Sequence, residues 1–200
     1  MISNQPSDFS ADLTNERLQT ICELVLDTVQ DSIDDSSTKN DTKWTRGCLR
    51  YGRVHGLLMQ LTLDKNYPWL TLANKTLDFT FRIGKTLVQY VYDDYEAPKK
   101  HHRIKPNTLE NTQLSLGLDL DDELTVASWR LYVNQEQGHE NDQLKATLVG
   151  YDINQTPVCI WSHEETVNIP MYAEQAETVD IPEPILTRKK SSNDISNEAK

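Results

Sequence analysis

Glycine, cysteine and long apolar runs are all scarce in this chain. Seven glycines are spread over 200 residues, so the Gly-rich loops that cradle phosphates have little to be built from. The three cysteines, Cys22, Cys48 and Cys159, are odd in number, far apart and without a Cys-x-x-Cys pair. That excludes a disulfide framework and a zinc ribbon. Each lies among apolar neighbours and reads as a small buried hydrophobe. No apolar run approaches the roughly 18 residues that signal a membrane span. Residues 1–8 have neither a basic start nor an apolar leader core, so the expectation is a cytoplasmic protein. The Asn-x-Thr triplets at Asn40, Asn74 and Asn154 then carry no weight as glycosylation acceptors.

What is present is enough for a core. Apolar residues make up 37% and aromatics 8% of the chain, and a domain of this size buries roughly 70% of its unfolded surface. Residues 1–12 read as a flexible N-terminus. Leu18, Ile21, Cys22, Val25, Leu26, Val29 and Ile33 recur at helical spacing and predict a helix from about 14 to 33, with Asp12 or Thr14 as its cap. A second helix is expected from Lys43 to about Leu63, with Trp44, Cys48, Tyr51, Val54, Leu58 and Leu61 on one face. Gly47, Gly52 and Gly56 weaken it by roughly 1 kcal/mol each relative to alanine; close packing against the first helix would account for them. After Tyr67-Pro68 the period changes to two. Strands are expected at 69–72, 77–83, 87–92, 126–133, 144–151 and 158–161, with Gly84-Lys85 as a hairpin turn and residues 93–120 as a long loop. Trp44, Trp69, Trp129 and Trp161 read as core residues. The fold class is α+β: two N-terminal helices on an antiparallel sheet of five to six strands, one domain over 13–173, and a disordered acidic, polar tail over 174–200.

The motifs of common catalysis are broken or missing. Gly84-Lys85-Thr86 ends like a phosphate loop, but the required first glycine falls on Phe79. His163-Glu164-Glu165-Thr166-Val167 starts like a zinc-peptidase helix and has valine where the second histidine belongs. The five histidines show no ligand spacing, and His101-His102 reads as part of a solvated basic loop rather than a metal site. One combination matches a Mg²⁺-dependent nuclease loosely: Asp94 and Asp121 as metal carboxylates, with Lys145 of Gln143-Leu144-Lys145 assisting the water. It stands as the catalytic alternative. The leading reading is non-catalytic, with no cofactor and no metal.

Charge is segregated. The net charge is −11, yet residues 43–106 hold 12 bases and 5 acids, against 9 acids and 2 bases in residues 1–42 and 11 acids and 2 bases in residues 107–173. Arg46, Arg50 and Arg53 fall on one side of the second helix, and Lys99, Lys100 and Arg103 lie in the loop run Lys99–Lys105. These six are the candidate partner-binding residues. Two readings stay open for the helix arginines: docking of an acidic partner or of phosphate, or pairing with the acidic first helix and the Asp119–Glu123 run. Nucleic-acid binding by the 43–106 block is a further alternative, although the overall negative charge opposes it.

Trp44-Thr45-Arg46-Gly47, Phe81-Arg82-Ile83-Gly84, Asp93-Asp94-Tyr95-Glu96-Ala97-Pro98-Lys99-Lys100, Gln113-Leu114-Ser115-Leu116 and Trp129-Arg130 follow one another in that order. The arrangement resembles a group of bacterial and phage proteins encoded beside helix-turn-helix proteins fused to a zinc-peptidase-like domain, in operons of toxin–antitoxin type. The resemblance spans roughly residues 14–161 on this motif order, and implies no catalytic residue. It implies a partner-binding role: an antitoxin-like or regulatory protein that restrains a protein encoded nearby, away from any membrane.

Overall fold

The computed structural model describes residues 5–76, 79–116, 126–136, 142–163 and 167–169. The tail 174–200 and the acidic run Asp119–Glu123 lie outside these residues. The expected α+β class is found, with both helices preceding the sheet.

Helix α1 (Asn15–Asp35) starts where Thr14 accepts a hydrogen bond from the Arg17 N–H, with Glu16 in the first turn. Both features suit the positive end of a helix. Its apolar stripe from Leu18 to Val29 is buried throughout. Helix α2 (Lys43–Leu61) is capped by Thr42, which accepts from the Thr45 N–H at 3.2 Å. Its buried residues are Val54, Leu58 and Leu61. The N-terminal half of the expected face fails: Trp44 is 75% exposed and Cys48 is exposed. Trp129 is buried and Trp69 and Trp161 are half-buried, so Trp44 alone of the four leaves the core. A Cβ on Gly47, Gly52 or Gly56 would meet nothing within 4 Å; close helix packing is therefore not what these glycines serve. No helix among the described residues is long and apolar enough to cross a membrane.

Strands β1 (Leu70–Asn74), β2 (Thr80–Ile83), β3 (Thr86–Tyr92), β4 (Ser128–Glu136), β5 (Asp142–Tyr151) and β6 (Pro157–Ser162) lie in chain order across one sheet, and β7 (Val167–Ile169) also pairs with β5. Every pairing is antiparallel except β3–β4, where Val88 lies beside Trp129 and Tyr92 beside Val133. The sheet is thus mixed, where alternation alone suggested an antiparallel one. A parallel neighbour requires the chain to travel back along the sheet, and residues 93–127 make that return. The return is not a bare loop. It holds a 3₁₀ turn at His101–Arg103 and helix α3 (Thr108–Leu116).

Helix α3 begins at a capping box. The Asn107 side chain accepts from the Leu109 and Glu110 N–H groups, and the Glu110 carboxylate accepts from the Asn107 N–H at 2.7 Å. Two terminal donors are satisfied reciprocally. The same carboxylate faces Arg130, which comes from β4 and is 0% exposed. Arg130 Nη1 and Nη2 donate to Glu110 at 2.6 and 2.9 Å; its remaining donors go to the carbonyls of Arg103, Lys105 and Trp129. All five guanidinium N–H groups are therefore placed.

The sheet has two covered faces. α1 and α2 pack on Phe81, Ile83, Val88, Leu131, Val133, Ala146 and Leu148. On the reverse face Val91, Tyr132, Val149 and Tyr151 gather with Ile104 of the crossover. Residues 5–12, expected to be flexible, are held in place. Pro6 is buried, Phe9 sets its ring edge-on to Trp129 at 6.1 Å, and Ser10 hydrogen-bonds Thr86. The Asp12 carboxylate does not cap α1; it accepts from the Lys85 N–H at 2.8 Å in the β2–β3 turn. That bond, with help from Arg17, holds its pKa below the ordinary value. Gly84 turns this hairpin at φ +60°, and a Cβ there would run into the Asp12 carboxylate.

Replacing Glu110 by Gln should cost about 3 kcal/mol in urea denaturation, because it leaves a buried guanidinium uncompensated. Gly84→Ala should cost at least about 1 kcal/mol, whereas Gly52→Ala should gain up to about 1 kcal/mol from helix propensity alone. Equal effects of the two alanines in the same assay would contradict these assignments.

Candidate functional site

The three helix arginines share one side of α2 but not one fate. Arg46 Nε donates to the Ser36 carbonyl at 3.1 Å, just past the end of α1. Arg53 donates to the Asp31 carbonyl at 3.1 Å and pairs with the Asp35 carboxylate at 2.6 Å. Both cations serve the negative end of α1, whose last carbonyls have no helical partner. Arg53 is thus ion-paired with the first helix, and Arg46 is bonded to the backbone at its end.

Arg50 turns away to the sheet. Its guanidinium lies over the Tyr92 ring at 4.1 Å, Nη1 reaches the Tyr92 hydroxyl at 3.4 Å, and Nε is buried without a hydrogen-bond partner. Two residues back on the same face of β3, the Tyr90 hydroxyl is also buried and unpartnered. Burial pushes the Tyr90 pKa up, and the Arg50 charge pulls against it.

The basic loop approaches the same place from the strand end. The Asp93 carboxylate accepts the N–H groups of Asp94, Lys99 and Lys100 at 3.0, 2.9 and 2.9 Å, closing the segment 93–100 into a ring. Asp93 itself is tied to β4 through its N–H and the Val133 carbonyl. Lys100 Nζ then donates to the Tyr92 carbonyl at 2.8 Å. The Lys100 pKa is lowered, first by burial and then by the charges of Arg103 and Arg50, while Asp93 opposes the shift. Arg103 is held by its backbone, whose carbonyl receives Arg130 Nε. Lys99 contributes its N–H to the Asp93 ring and has an exposed side chain.

Arg50 and Lys100 therefore meet at Tyr92, one on its ring and one on its carbonyl, and Arg103 adds a third charge in the field of Lys100. Such a cluster is suited to receiving an anion. Charge counting found the three cations. It could not find Tyr90, Tyr92 or Asp93, whose parts depend on which strand end meets α2; the alternation that puts both tyrosines on one face was the available signal.

The nuclease residues are placed differently. Asp94 accepts from the Glu96 N–H at 2.9 Å as a turn cap, Lys145 stands opposite Asn134 in the β4–β5 ladder, and Asp121 lies outside the described residues. Among the described residues no three His, Cys, Asp or Glu side chains gather as a metal-binding group. The cysteines divide as well: Cys22 and Cys159 are buried, with burial pushing both thiols up to about 12, and Cys48 is exposed on α2.

Asp93→Ala should release the loop, raising native-state hydrogen exchange at the Lys99 and Lys100 amides at least about tenfold. Unchanged protection would mean that Asp93 does not hold the segment. Comparison of the chain with protein-family models, with curated proteins and with solved structures gives no match, so the reading of this site rests on its own geometry.

Proposed function

We propose that this protein is a non-catalytic interaction module that docks an acidic surface of another protein through the cluster around Tyr92. The observation that carries this reading is the meeting of Arg50 and Lys100, from two separate parts of the chain, at Tyr92, with Arg103 in the field of Lys100. Like charges brought together on a fixed scaffold raise the local potential and favour encounter with an acidic partner. The net charge of −11 favours an acidic patch on a protein over nucleic acid, whose uniform charge the whole molecule would repel.

The finer reading, an antitoxin-like protein that restrains the product of a neighbouring gene, draws its support from the order of the sequence motifs. In that role the disordered tail expected over 174–200 would let the pair be regulated by proteolysis.

The test is co-purification of the tagged protein with the neighbouring gene product, joined to rescue of any toxicity of that product. Lys100→Glu combined with Arg103→Glu should cut capture at least about tenfold and abolish rescue. Lys65→Glu, an exposed charge away from the cluster, should leave both intact. Full capture and rescue by the charge-reversed protein would dispose of the docking surface.

A further inference from the structure

Arg50 keeps an edge in reserve. Its Nη1 is taken by Tyr92 through a long hydrogen bond of 3.4 Å, while Nε has no partner although it is buried. Two residues back from Tyr92 on the same face of β3, the hydroxyl of Tyr90, a residue only 7% exposed, is also without a partner. Buried polar atoms are nearly always satisfied, and here the two lie on one patch, Arg50 on the Tyr92 ring at 4.1 Å and Tyr90 two residues along the same strand face. Lys100 spends one of its three N–H donors on the Tyr92 carbonyl and keeps the others.

We infer that Arg50, Lys100 and the Tyr90 hydroxyl form a seat for a single carboxylate, supplied by an acidic side chain of a partner peptide. This rests on the docking reading above and names its ligand chemistry. The Nε–Nη2 edge of a guanidinium matches the two oxygens of a carboxylate in a planar, bidentate pair. Arg50 reaches this pairing by turning on the Tyr92 ring, which breaks only the long bond to the hydroxyl. Tyr90 then donates its proton to the nearer carboxylate oxygen.

Phosphate is the less suitable anion. A phosphate seat in a loop is built from backbone N–H groups pointing at the ligand. The N–H groups of Lys99 and Lys100, the pair placed to do this, are already given to the Asp93 carboxylate at 2.9 Å each. That carboxylate would also face a phosphate dianion directly.

The experiment follows the arginine Nε–H resonances of the full-length ¹⁵N-labelled protein during titration with a short oligoglutamate peptide, with acetate and with inorganic phosphate. The Arg50 signal should shift with oligoglutamate and acetate and respond least to phosphate. Arg50→Lys, which keeps the charge but removes the bidentate edge, should weaken the peptide at least about tenfold. Tyr90→Phe, which keeps the ring, should weaken it about threefold or more.

A response to phosphate equal to or greater than that to carboxylate overturns the seat, as does no binding of oligoglutamate. Wild-type affinity in both Arg50→Lys and Tyr90→Phe also overturns it. In that last case docking survives if Lys100→Glu with Arg103→Glu still abolishes peptide binding. Binding that is indifferent to all of these substitutions removes the seat and the docking surface together.

Discussion

The ion pair of Arg130 with Glu110 governs how this chain can fold. A guanidinium taken fully out of water is costly, and it is tolerated only where every N–H finds an acceptor. β4 carries Arg130 on the face opposite the helices, so that face must be roofed by something rich in carbonyl oxygens and one carboxylate. The 93–116 crossover is that roof: it supplies the Arg103 and Lys105 carbonyls and the Glu110 carboxylate. Because Glu110 is also the closing residue of the α3 cap, the ion pair and the helix start are one structure. Removing that carboxylate would take a partner from both, and together they hold the crossover at one height above the sheet.

That height decides where the basic loop falls. Arg103 is anchored by its own carbonyl to Arg130, and seven residues upstream of Lys100 the Asp93 side chain gathers the loop against the end of β3. The loop is pinned at both ends, and its cations reach the position where α2 delivers Arg50. The charges at the site are thus positioned by a buried salt bridge that never meets solvent. An exposed basic loop without these two pins would lose conformational entropy on every encounter with a partner; here most of that cost falls on folding.

The legible parts of the molecule were those set by one element at a time. The stripe of α1 and the β2–β3 hairpin with Gly84 follow from periodicity and turn chemistry, and both are found. What was not legible depended on two elements meeting. Arg130 reads as an outward polar residue in an alternating strand, because nothing local says that its face is covered. Trp44 and Cys48 continue an apolar stripe on α2 whose N-terminal half stays exposed. The Asn107-x-x-Glu110 spacing is that of a capping box, but no apolar stripe follows it to mark a helix in the sequence. At the site, the cations were visible as charge, while the aromatic platform and the Asp93 ring arise from β3 ending beneath Arg50.

The lone parallel pairing has a kinetic meaning. On one side of it, β1–β3 form a run of antiparallel neighbours closed by short connections, and β4–β6 form another. Each run can zip up from its own turns. The seam between β3 and β4 joins partners about forty residues apart, Val88 with Trp129 and Tyr92 with Val133, and ordering so long an intervening segment is entropically the dearest step in the sheet. The two halves of the sheet are therefore built as separate meanders, and the crossover that buries Arg130 is also what welds them.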